Sequence, residues 1–203
     1  KLKKMIHVST FYVNLPKGKE HNVNIDFDSL LKDIKIMNLD EINKKYNLCF
    51  ENTYVFTKFI AEEFLKRTEN NFKKYIIRPS IIANSFSFPH PGWNDSFAAY
   101  TGFNLSFGTG IVKSLLTDTN RGFSSETKLN IIPVDHVSSI MINTVFNNPS
   151  KMIINASINN KDLLKIEDLK KSLKYYNVLN YKGKYQFMEN NFFIFYNFVF
   201  EYL

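Results

Sequence analysis

Tyr54 and Lys58 stand four residues apart in the run Tyr54-Val55-Phe56-Thr57-Lys58. On a helix of 3.6 residues per turn, that spacing puts both side chains on one face. An ammonium beside a phenol favours the phenolate, so it lowers the Tyr pKa from its reference of about 10 and makes a proton donor. A hydroxyl from Ser9 or Thr10 can then hold a carbonyl oxygen against the Tyr while hydride arrives from a nicotinamide. The chemistry this set suits is carbonyl reduction. The spacing alone is weak: with 11 Tyr in the chain, about one such match is expected by chance, and a solvated helix face is the ordinary reading of it.

The elements around the pair decide the matter. Residues 3–8 form a short run rich in Met, Ile and Val that ends in small hydroxyl residues. It predicts a buried strand delivering Ser9 and Thr10 at its carboxyl end, where ligands bind in open α/β sheets. Residues 52–68 carry a helical pattern with apolar positions at Phe56, Phe59, Ile60, Phe64 and Leu65. Residues 75–77 predict a second apolar strand, stopped by Arg78-Pro79. Strand, helix, strand is the order a doubly wound fold requires. The expected fold class is therefore α/β, the C-terminal part of a Rossmann-like doubly wound parallel sheet.

Taken in order, His7-Val8-Ser9-Thr10, Asn52-Thr53-Tyr54, Thr57-Lys58, Ala61-Glu62, Arg78-Pro79-Ser80-Ile81, Pro91-Gly92-Trp93, Gly108-Thr109-Gly110 and Ile132-Pro133-Val134-Asp135 form a recognisable series. Together they resemble the alcohol-forming fatty acyl-CoA reductases, a branch of the extended short-chain dehydrogenase/reductase superfamily. The resemblance runs from residue 1 to about residue 148 and more faintly to the end. Pro91-Gly92-Trp93 is the segment most specific to that branch. The resemblance implies an NADPH-dependent reduction of a long-chain acyl-CoA to the aldehyde and then to a primary alcohol. Tyr54 would donate the proton, and Lys58 would support Tyr54 and bond the nicotinamide ribose. Thr10 would orient the carbonyl, with Ser9 as the second candidate. Arg78, Pro79, Ser80 and Ile81 would lie against the nicotinamide, and Pro91, Gly92 and Trp93 on the substrate side. It further implies an intracellular, membrane-associated enzyme of the endoplasmic reticulum or peroxisome.

Composition sets the outer bounds. At 203 residues, 44% hydrophobic and 16% aromatic, the chain can bury a core, and one domain is the default. The net charge of +7 comes mostly from Lys spread along the sequence. No basic run is interleaved with aromatics that could stack bases, so nucleic acid is not an expected partner. A mild positive field suits a phosphorylated cofactor or a CoA thioester. The single Cys49 argues against disulfides and against a Cys metal site, and reads as a small buried or half-buried hydrophobe. His7, His21, His90 and His136 lack metal-ligand spacing, so no metal is expected. No amino-terminal signal peptide is visible.

A dinucleotide fold begins with a strand and a Gly-x-Gly-x-x-Gly turn whose amides hold the pyrophosphate. The seven glycines are Gly18, Gly92, Gly102, Gly108, Gly110, Gly122 and Gly183. Only Gly108-Thr109-Gly110 comes close; Lys113 stands at the third glycine position, and the motif follows the Tyr-Lys helix instead of preceding it. The expectation is a fragment truncated at the N-terminus, cut near the fifth strand, that by itself binds NADPH without measurable tightness. Residues 1–157 would be a partial NAD(P)-binding domain, and residues 158–203 the start of a C-terminal helical region.

Between them lie less informative stretches. Residues 14–50 read as a polar surface connection with helices at 27–37 and 39–43, started by Asp26 or Asp28 before Ser29. Residues 82–104 are irregular and rich in Ser, Phe, Pro and Gly, the style of a binding loop; Trp93 there is either an acyl-chain contact or a packing anchor. Residues 107–116 predict a turn and helix, 129–134 a strand, and 136–146 a helix capped by Asp135. Residues 153–157 predict a last strand and 165–176 an amphipathic helix. The aromatic end, 192–203, is too short to span a bilayer, which takes about 20 residues, but suits a membrane-associated helix or a second core. Two rivals stay open: another extended reductase or epimerase, and a catalytically inactive truncated copy.

Overall fold

The computed structural model describes residues 2–14, 25–69, 71–108, 114–117, 128–159, 161–165, 168 and 186–189. The chain divides into two compact units. One comprises Lys1–Arg78 with Pro149–Asn155, the other Pro79–Asn148 with Ala156–Leu203.

The first unit is built on strand β1 (Lys4–Val8), helices α1 (Phe27–Asp33), α2 (Leu39–Tyr46) and α3 (Thr53–Arg67), and strand β2 (Lys73–Pro79). β1 and β2 pair in parallel, from Lys4 opposite Lys73 to Val8 opposite Ile77. Because α3 lies between them in sequence, the three form the expected strand–helix–strand crossover. β2 is central in the order β1-β2-β7, where β7 is Ile153–Ala156. Its run from Tyr75 to Pro79 is buried throughout, as a strand covered on both faces must be.

α3 starts where Asn52 caps it: the Asn52 side-chain oxygen accepts the Val55 N–H at 2.9 Å. Val55, Phe56, Phe59, Glu62 and Leu65 are buried, the three-and-four spacing of one helical face. Phe50 packs on that face, its ring centroid 5.5 Å from Phe56 and 4.9 Å from Phe59. The polar insertion is more than a surface connection. α1 and α2 bury Leu30 and Ile42 in the same cluster, because each short helix keeps one apolar stripe inside an otherwise polar segment. Asp26 caps α1 by accepting the Ser29 N–H, and Asn38 with Glu41 forms a capping box on α2.

The second unit contains β3 (Ile81–Ala83), α4 (Ala99–Gly108), β4 (Ser114–Thr117), β5 (Lys128–Leu129), β6 (Ile131–Pro133), α5 (Val134–Asn147), β8 (Leu164–Lys165) and β9 (Gln186–Glu189). β3 pairs with β6 and β4 with β9, both in parallel, and β5 with β8 antiparallel. Two expectations need correction. The helix expected over 107–116 runs instead over Ala99–Gly108, beginning inside the stretch read as irregular and ending beyond it, while 114–117 is a strand. The partner that makes it a strand lies some seventy positions away, where local pattern cannot see it. Asp135 does not cap α5 either; the N-cap is Pro133, without a side-chain bond.

The helix expected over 165–176 and the aromatic segment 192–203 lie outside the described residues, apart from Lys165 in β8 and Asp168. So do Thr109 and Gly110. Among the described residues no helix is long and apolar enough to cross a membrane.

Candidate active site

The site is built on the carboxyl end of β1. Ser9 and Thr10 follow the strand directly and are buried; the Ser9 N–H donates to the Ile77 carbonyl at 2.7 Å, prolonging the pairing with β2. Lys58 reaches the same point from α3. Its ammonium donates to the Val8 carbonyl at 3.1 Å. The same nitrogen lies 5.9 Å from the centre of the Tyr54 ring, close enough for the cation to act on the phenol's π-system. Tyr54 and Lys58 are both half-buried. Lys58 thus links the Tyr54 face of α3 to the strand end that Ser9 and Thr10 follow.

Beneath this group is a residue to which the sequence reading gave no role. Glu62 stands one turn beyond Lys58 on the Tyr54 face, 0% exposed. Arg78 grips it bidentately, Nε to Oε1 at 2.8 Å and Nη2 to Oε2 at 2.6 Å. Burial works against the Glu62 carboxylate, but the Arg78 hydrogen bonds, the Ser9 hydroxyl and the charges of Arg78 and Lys66 outweigh it and hold its pKa below the ordinary value. The Ser9 hydroxyl lies on the Glu62 side, though it closes no hydrogen bond of ordinary geometry. His7, on β1, is held below its usual pKa by burial first and by the Lys58 charge second, with Glu62 opposing. The sequence signals for Glu62 were its place in the Ala61-Glu62 segment of the family series, which carried no role, and an acid at i+4 from Lys58, a position easily taken for solvated surface.

Arg78 changes meaning accordingly. With its guanidinium engaged by Glu62, it can offer a cofactor only its main chain, not its charge. Pro79 ends β2, and the Ser80 N–H donates to the Ala156 carbonyl at 2.9 Å; the Ser80 hydroxyl is buried without a hydrogen-bond partner among the described residues. Ile81 opens β3.

In the second unit Pro91, Gly92 and Trp93 form a closed turn. The Gly92 N–H donates to the Ser85 carbonyl and the Ser85 N–H to the Trp93 carbonyl, each at 2.9 Å. Gly92 has φ +79°, a left-handed conformation that suits glycine. Pro91 and Gly92 are exposed and Trp93 half-buried. Upstream of the turn, Asp135 accepts the N–H groups of Phe86, Ser87 and Phe88 at 2.9, 2.9 and 3.1 Å, and the Ser87 hydroxyl at 3.1 Å. The Phe86 amide, with those of Ser87 and Phe88 and against some burial, drives its pKa far below the carboxylate range. The expected cap of α5 is in fact the clasp of this loop.

A parallel sheet with a crossover helix that presents Tyr and Lys at a strand's carboxyl end defines the class: a Rossmann-like domain of the extended short-chain dehydrogenase/reductase type. The sequence profile of the family described as Male sterility protein matches residues 1–141. The chain belongs to that family, and curated proteins similar to it are named fatty acyl-CoA reductases. It is 28% identical over 165 residues to fatty acyl-CoA reductase 1 of Xenopus laevis, covering 76% of this chain and 31% of that protein. The chain therefore spans about a third of that relative's length. Among solved structures, the terminal R domain from the myxalamid PKS-NRPS pathway superposes with a TM-score of 0.56 at 16% identity, covering 93% of this chain and 40% of that one. A GDP-L-fucose synthetase from Naegleria fowleri bound to NADP gives 0.53 at 14%, covering 95% and 56%. At these identities the likeness is one of fold.

Proposed function

We propose that this chain carries the proton-donating and substrate-side part of an NADPH-dependent reductase that converts a long-chain fatty acyl-CoA, through the aldehyde, to a primary alcohol. The observation that carries the reading is the Lys58 ammonium fixed between the Val8 carbonyl and the Tyr54 ring, beside Ser9 and Thr10.

The residues fit a nicotinamide riboside. An ammonium has three donors, and the Val8 carbonyl takes one, leaving Lys58 able to bond ribose hydroxyls. When bound, the cofactor supplies hydride. The chain's residues do the rest. Thr10, or Ser9 in its place, holds the carbonyl oxygen, and Tyr54 transfers its phenolic proton to that oxygen as negative charge develops there. Lys58 steadies the phenolate that remains. Phe86, Phe88 and Phe97, exposed in the unit that holds the Pro91–Trp93 turn, offer apolar surface to an acyl chain. We further propose an intracellular, membrane-associated setting at the endoplasmic reticulum or peroxisome, where such substrates partition.

The test is NADPH consumption by the complete protein with palmitoyl-CoA against a UDP-sugar. Turnover of palmitoyl-CoA to hexadecanol supports the reading. Turnover of the sugar nucleotide alone would reassign the chain to another extended reductase or epimerase, and turnover of neither to an inactive copy.

A further inference from the structure

Glu62 is a buried charge that the reaction above does not use. It extends the Tyr54–Lys58 face by one more helical turn, and Lys66, 3.7 Å from its carboxylate, continues the same row. A rigid helix lying on a sheet can still slide along its axis and roll about it. One contact removes neither freedom, whereas two contacts to different strands remove both. α3 has two such contacts: Lys58 holds β1 through the Val8 carbonyl, and Glu62 holds β2 through both nitrogens of the Arg78 fork. They are four residues apart, about 6 Å along the axis. Tyr54 lies about the same distance beyond Lys58. A planar carboxylate in a planar guanidinium fork also fixes orientation, which a lone ammonium does not.

We propose that Glu62 is a positioning residue for the reduction. By pinning α3 to β2 through Arg78, it sets where Tyr54 and Lys58 meet the carbonyl. The proposal rests on the reductase reading above and goes beyond it in assigning the buried ion pair a part in the rate. Misplacement by about 1 Å at a reacting centre can cost 100-fold, so the ion pair matters to turnover more than to binding.

The experiment compares Glu62→Gln with wild type in the complete protein, at a temperature where circular dichroism shows both folded, as kcat and KM per folded molecule. The expected result is a fall in kcat of about 10- to 100-fold with KM within about 3-fold, the split that lost transition-state geometry produces. If Glu62→Gln does not fold, the double variant Glu62→Gln/Arg78→Met removes the stranded cation, and the same fall in kcat is expected. A folded variant with wild-type kcat, however low its melting temperature, overturns the proposal. Tyr54→Phe runs alongside: if it too keeps wild-type kcat, the reductase reading fails, whereas a dead Tyr54→Phe beside a fully active Glu62 variant sinks the positioning role alone.

Discussion

Lys58 Nζ and the Val8 carbonyl oxygen are 3.1 Å apart, joining residues fifty positions distant in sequence. The carbonyl is the last of β1 before Ser9, so the bond places the ammonium at the strand end where the two hydroxyl residues emerge. It fixes the cation without neutralising it, since a carbonyl carries no net charge. Tyr54 thereby keeps a full positive charge beside its ring.

Removing the phenolic hydroxyl or the ammonium should therefore act on turnover. Tyr54→Phe is expected to lower kcat by about 10²- to 10⁴-fold, the usual contribution of a positioned proton donor, and Lys58→Met to fall in the same range. Steady-state kinetics with palmitoyl-CoA checks both; a Tyr54→Phe variant that keeps most of its activity removes Tyr54 from the mechanism.

Asn52 caps the turn that carries Tyr54. Asn52→Ala should cost about 1 kcal/mol, because the Val55 N–H loses its acceptor, while Asn52→Asp should retain most of the stability. Denaturant midpoints of the two variants are the measurement, and equal midpoints would show that the cap contributes nothing.

Asp135 predicts a pH effect with a definite sign. Its folded-state pKa is depressed by the amides of residues 86–88, so the stability it confers is fully present above its unfolded value of about 3.9. That contribution is lost as pH falls below this value toward the folded one. The melting temperature of Asp135→Asn should fall less steeply than wild type below about pH 4, and limited proteolysis should cut residues 86–93 faster in the variant. Parallel acid limbs would exclude the clasp.

The core at β2 admits a simpler check. Ile76 is 0% exposed in the central strand, so Ile76→Ala should destabilise by about 2–5 kcal/mol. A loss under 1 kcal/mol would mean that the strand is not central.

Where one residue's pattern is repeated by its near neighbours, the sequence was readable. Tyr54 and Lys58 share a face by spacing alone, residues 75–77 announce a strand by three consecutive apolar side chains, and Asp26 or Asp28 before Ser29 announces α1 by chemistry local to one turn, with Asp26 the residue that caps it. Roles set by distant partners were not readable. Asp135 precedes a helix and has every local feature of a cap, yet its carboxylate answers amides 47 to 49 positions away. Glu62 looks like surface because an acid's burial depends on Arg78, sixteen residues on. Residues 114–117 are a strand only through β9. In the insertion, Leu30 and Ile42 are too sparse among polar neighbours to declare a core, although they complete one against Phe50 and Phe59.

β1 has β2 on one side and, among the described residues, no strand on the other. β2, hydrogen-bonded to β1 and β7 on its two sides and buried from Tyr75 to Pro79, will therefore be the last strand of this sheet to exchange its amide protons.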